Sequence, residues 1–124
     1  MVEPIPGIAD NVLAFSAKGK VTSHDYETVI IPAVEKILAE HDKIRLLYHI
    51  GPDFEGFEAG AMWDDARVGL RHLTSWERIA MVTDVEWLRA MMKAFGFVMP
   101  GMVKVFNNDD LEDAIEWITS KGVG

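Results

Sequence analysis

Imidazole is the side chain whose charge changes near neutral pH, so the four histidines of this chain are where a search for chemistry begins. His24, His41, His49 and His72 stand alone, with no His-x-x-x-His or His-Glu-x-x-His pair to set two ligands on one helix face. No metal site and no cofactor is expected. His24, His41 and His72 read as helix-end or surface residues. His49 falls near the C-terminal end of a strand expected to be parallel, where open α/β sheets place their ligand crevice. Asp53, Glu55 and Asp64 are the carboxylates that could serve it as an acid/base partner, a role that requires hydrogen-bond reach. The alternative for His49 is a structural imidazole bonded to loop backbone.

Other catalytic signatures are missing. With no cysteine there is no thiolate nucleophile, no disulfide and no Cys-ligated zinc. Gly51-Pro52, Gly56 and Gly60 form neither a Gly-x-Gly-x-x-Gly nor a Walker loop, and no serine lies in a Gly-x-Ser-x-Gly elbow. No catalytic residue is assigned, and a non-enzymatic protein is expected.

The strongest signal is apolar. In the stretch after Asp84, Val85, Trp87, Leu88, Met91, Met92 and Phe95 project over about 160° of a helical wheel, and over about 220° with Ala90 and Ala94. A helix covering one side of a sheet needs about 100° or somewhat more. Either its neighbours sandwich this helix, or part of its surface meets a partner. Met62 and Trp63 on the preceding helix belong to the same Met and aromatic group, of a kind that repacks around varied ligands. Met62, Trp63, Trp87, Met91, Met92 and Phe95 are therefore the candidate ligand-binding residues. Buried apolar area is worth about 25 cal/mol per Å², so leaving such a face open to water would cost several kcal/mol.

Strands and helices alternate to carry these residues. Val12–Val21 reads as a strand leaving into a cap at Thr22-Ser23, followed by a helix to about Glu40 with Pro32 bending it. Lys43–Ile50 reads as a second strand, ended by Gly51-Pro52, and Phe57–Leu73 as a second helix. Ala59, Ala66 and Gly69 would let that helix approach a neighbour closely, and Leu70 belongs to its apolar arc. Arg78–Thr83 is a third strand. Asp84 is the expected N-cap of the third helix, and Gly96 its stop. Met102–Phe106 is a strand, and the last helix follows Asn107-Asn108-Asp109-Asp110, with acids at its start and Lys121 at its end. Met1–Ile8 adds a short edge strand through a turn at Asp10-Asn11. The outcome is an α/β domain spanning residues 1–124, a mostly parallel sheet of four or five strands with about four helices.

Length and charge bound the function. At 124 residues the chain makes one domain, and 49% apolar with 26% charged residues is ordinary globular composition. A net charge of −8 opposes nucleic-acid binding and electrostatic attraction to anionic lipid. No leader or membrane-spanning run is visible, which favours a cytoplasmic protein.

Four local patterns in this order resemble the SpoIIAA-like branch of the STAS fold. They are Ala17-Lys18-Gly19-Lys20-Val21-Thr22; Phe54-Glu55-Gly56-Phe57; Arg78-Ile79-Ala80-Met81-Val82-Thr83-Asp84 with Glu86-Trp87-Leu88; and Val105-Phe106 with Ala114-Ile115-Glu116-Trp117. The resemblance spans essentially the whole chain. It implies a sheet with four helices gathered largely on one side, and a small protein of bacterial type with a binding or regulatory role. STAS domains that antagonise anti-sigma factors carry a phosphorylatable Ser at the start of the second helix. Here the matching Asp53-Phe54-Glu55-Gly56-Phe57-Glu58-Ala59 has no Ser or Thr, which argues against such a switch. Glu55 or Glu58 would supply only a fixed charge. The expectation is a binding domain with an apolar, lipid-like ligand cleft between the second and third helices, and peripheral membrane association through apolar insertion as a variant. A homodimeric or partner-docking regulator using the same face is the alternative.

Overall fold

A computed structural model describes residues 1–99 and 101–120, with all side chains in that range other than those of Asp65, Ala66, Gly69 and Leu70. Its elements run β1 (Val2–Pro4), β2 (Val12–Val21), α1 (Ser23–Asp25), a π-helical turn (Tyr26–Ile30), α2 (Ile31–Leu38), β3 (Ile44–Phe57), α3 (Ala59–Arg71), β4 (Trp76–Thr83), α4 (Glu86–Gly96), β5 (Met102–Phe106), a 3₁₀ turn (Asn108–Asp110) and α5 (Leu111–Thr119). The second and third helices of the sequence reading are thus α3 and α4.

All five strands form one sheet in the order β1-β2-β3-β4-β5, with β1 antiparallel to β2 and the rest parallel. This is the mostly parallel α/β architecture expected from the alternation. Because each parallel strand is laid beside the last in one direction, right-handed crossovers must all pass over the same face. α1, the π-helical turn, α2, α3 and α4 therefore share that face, whereas α5, which follows the last strand, packs on the other. Period-two alternation divides the strand residues accordingly. Phe15, Ala17, Tyr48, Ile50, Ile79 and Met81 face the crossover helices, and Val12, Ala14, Leu47, Ala80, Val82 and Phe106 face Ala114 and Ile118 of α5.

Several local expectations are corrected. Gly51-Pro52 does not end the second main strand. β3 continues to Phe57, because Phe54, Gly56 and Phe57 pair with Gly19, Lys20 and Val21 across a register shift. The bulge takes up the extra β3 residues where a glycine and a proline weaken regular pairing. Asp84 is not the N-cap of α4. Val85 occupies that position, its N–H donates to Thr83 Oγ1, and Asp84 Oδ1 instead accepts from the Asn108 N–H. The first helix is capped as expected, by Thr22 in a reciprocal box with Asp25. Pro32 is the second residue of α2, and the residues before that helix take the wider π-helical spacing, a common way to absorb a missing N–H.

The close approach expected at Ala59 falls one residue on. Ala59 is exposed, and the contact between α3 and α1 is made at Gly60, where an added Cβ would stand 2.0 Å from Ser23 Oγ. Ala66, Gly69 and Leu70 as packing side chains, and Lys121, lie outside the described residues.

Candidate functional site

Between the sheet and the crossover helices lies a cavity of about 240 Å³. Its floor comes from alternate residues of the central strands: Phe15 of β2, Leu46 and Tyr48 of β3, and Trp76, Ile79 and Met81 of β4. Ile30 and Val34 close one end, and Met62 and Val68 of α3 form the roof. α4 supplies the far wall through Trp87, Leu88, Met91, Met92 and Phe95.

The apolar surplus of α4 is thereby divided by depth. Leu88 is buried, Met92 and Phe95 are partly buried against the core, and Trp87 and Met91 stay about half exposed. Together with half-exposed Met62 they mark a mouth between α3 and α4. Phe57, at the end of β3, sets its ring edge-on to Trp87 at 6.1 Å and to Phe54 at 5.0 Å, which fixes the indole at the rim. Trp63, 67% exposed, does not line the cavity. Met62, Trp87, Met91, Met92 and Phe95 do.

Sequence reasoning missed the floor and Phe57. The strand residues are visible in the alternation of Leu46 with Tyr48 and of Ile79 with Met81, once one face of the sheet is known to meet the helices. Phe57 was hidden by the assumption that Gly51-Pro52 ended its strand, and it was assigned to a helix. One polar feature lies at the floor, where Tyr26 and Tyr48 share a hydrogen bond between their hydroxyls at 3.2 Å. That pairing lets two buried phenols sit in apolar surroundings at little cost.

His49 does not join this site. Its strand position turns it to the α5 face, beside Asn108, and Asp64 lies on the opposite face in the groove between α2 and α3. Asp53 and Glu55 are exposed, and no ion pair links His49 to a carboxylate among the described residues. Burial pushes the imidazole pKa down, and the Asn108 side chain pulls it part of the way back. Asn108 Oδ1 is buried and lacks a hydrogen bond of good geometry among the described residues, so it acts on the ring as a nearby dipole. The described residues hold no cluster of three or more metal-binding side chains.

The stretch matched to the phosphorylatable helix start is largely strand. Asp53–Phe57 belongs to β3, Gly56 turns the chain there with φ +134°, and Glu58 occupies the N-cap position of α3. Glu58 Oε1 accepts from the Ser23 N–H, so its charge ties α3 to α1.

A five-stranded, mostly parallel sheet, one-sided crossovers and the order of the local patterns agree with what a family model describes as SpoIIAA-like, which matches residues 12–119. The chain belongs to the SpoIIAA-like family. An uncharacterised protein of Shewanella loihica with a SpoIIAA-like fold is similar in structure, at 30% identity and a TM-score of 0.70, over 95% of this chain and 92% of that one. Among curated proteins none matches. The SpoIIAA-like fold is in general that of a regulatory or binding domain rather than an enzyme. Among the described residues no helix is long and apolar enough to cross a membrane.

Proposed function

We propose that this SpoIIAA-like domain is a non-enzymatic binding module that takes a small apolar, lipid-like molecule into the cavity between α3, α4 and the sheet. The supporting observation is the cavity itself, about 240 Å³ and lined almost wholly by apolar side chains. Engineered apolar cavities of about 150 Å³ hold benzene, and drug-sized ligands occupy about 300–1,000 Å³. The natural occupant is therefore a short acyl chain or a one- to two-ring compound. An empty void costs about 24 cal/mol per Å³, so roughly 6 kcal/mol is an upper bound on what filling this one recovers. The bound is not reached, because the mouth at Met62, Trp87 and Met91 already admits solvent.

Native mass spectrometry and solvent extraction of the purified protein, with titration of fatty acids and a hydrophobic dye, test the proposal. Met81→Trp, which puts a larger side chain into the void, should keep the protein folded and abolish dye binding. A protein that carries nothing and binds neither fatty acid nor dye would sink the reading.

Trp63, Phe97 and Val98 favour a second reading, since they are large apolar side chains that are well exposed and line neither void. In it the same rim docks a second copy of the chain. Light scattering decides: a monomer at high concentration, unchanged in mass by Trp87→Asp, removes it. Delivery of ligand from a membrane surface is a variant of the first reading, and in an acidic chain it predicts vesicle binding that is insensitive to salt.

A further inference from the structure

A second void, about 420 Å³, lies in the groove between α2 and α3. Its lining is of a different kind: Arg67, Arg71 and His72 of α3 and its C-cap stand with Asp64 of the same helix, opposite Glu35 of α2. Val34 and Val68 line both voids, so the apolar cavity and the charged groove abut at these two side chains. Arg67, Arg71 and His72 stand there against two carboxylates, Asp64 and Glu35, and the Asp64 carboxylate is engaged by Arg67. Asp64 is mostly buried and lies 3.9 Å from the Arg67 guanidinium, one turn along the helix, which steadies that side chain. Arg71 has no ion-pair partner among the described residues.

From this juxtaposition we propose that the ligand is an anionic amphiphile, its apolar tail in the cavity and its carboxylate or phosphate headgroup in the groove against Arg71 and Arg67. The inference rests on the cavity reading above and adds the headgroup to it. Guanidinium groups bind both acid types through paired N–H donors, so the shared chemistry is an acidic oxygen pair at one end of a single tail. Val34 and Val68 stand between the two voids, so a ligand that spans them holds α2 and α3 slightly apart at these side chains. His72 offers a further ring N–H donor at the end of the groove.

The test compares decanoate, decyl phosphate and decanol by isothermal titration against the wild-type chain, below their aggregation concentrations. At least one of the two acids should bind about tenfold more tightly than the alcohol, and which one does so identifies the headgroup class. The Arg67→Gln/Arg71→Gln variant should lose that preference while its affinity for decanol stays unchanged, showing that the cavity is intact. Raising the salt concentration should narrow the preference in the wild type. Decanol binding as tightly as both acids, or a preference that survives the double substitution, overturns the headgroup assignment and leaves the cavity reading standing. If none of the three binds, both fall together.

Discussion

His49 shows how far a single residue could be judged in advance. Its place near a strand end was legible, but the face it takes was not, because the side-chain alternation of β3 has meaning only once it is known which face α5 covers. Its behaviour with pH follows from burial. A folded imidazole with a lowered pKa binds fewer protons than the unfolded chain. Its contribution to stability is therefore complete above the ordinary value of 6.5, and is lost as pH falls from there through the lower folded value. Urea unfolding at about pH 7.5 and about pH 5 should show wild type losing more stability than His49→Gln. Equal losses in the two proteins would mean that the imidazole is not buried in the folded chain. Asp25 carries the opposite kind of group. Its burial raises the pKa, but hydrogen bonds from the Thr22 N–H and Oγ1 and the Met1 ammonium outweigh this, and its pKa ends below 3.8. The cap it makes is thus complete above pH 3.8 and weakens only as pH drops beneath that value.

Among the elements, the helices were read more accurately than the junctions between them. The arc of α4 was visible as periodicity, and so was its excess. The path of β3 past Gly51-Pro52 was not, since a local breaker signal was overridden by pairing with Gly19–Val21, more than thirty residues earlier in the chain. The anchoring of α5 was equally hidden. Arg78, only 2% exposed, donates to the Trp117 carbonyl and Ser120 Oγ, with its guanidinium 5.2 Å from the Trp117 ring centre. Arg45 donates to the Ile118 and Ser120 carbonyls and pairs with Glu77 at 2.6 Å. Two strand arginines thus satisfy the C-terminal carbonyls of the helix on the far face, where cations also suit the dipole. Arg78→Met keeps much of the volume but strands these acceptors, and should cost about 1–3 kcal/mol in chemical denaturation. It should also lower the helical signal of α5 selectively, whereas Glu116→Gln, exposed on the same helix, should change stability by less than about 0.5 kcal/mol.

For the molecule as a whole, strand order and handedness decide where function can lie. Sequential parallel strands send every crossover helix to one face and leave the other to α5, so the thick side of the fold holds the two voids described and the thin side is covered by one helix. The family and the alternation of elements were legible in the sequence. The floor of the cavity was not, because it requires knowing which strand faces meet which helices. α3 is tied down mainly at its start, through Gly60 against α1 and Glu58 to Ser23. Amide hydrogen exchange should accordingly show the backbone of α3 opening well below the global unfolding free energy, with β3 and β4 protected up to it. Uniform protection of α3 and the central strands would contradict this separation.

The wall formed by Val34 and Val68 has a kinetic consequence. Valine is β-branched and stiff about χ1, so neither side chain can swing aside as a leucine or methionine would. Any molecule passing between groove and cavity must wait for α2 and α3 to part, a collective motion on the microsecond to millisecond scale. Capture by this route would then level off at high ligand concentration, at a rate set by the helices rather than by encounter.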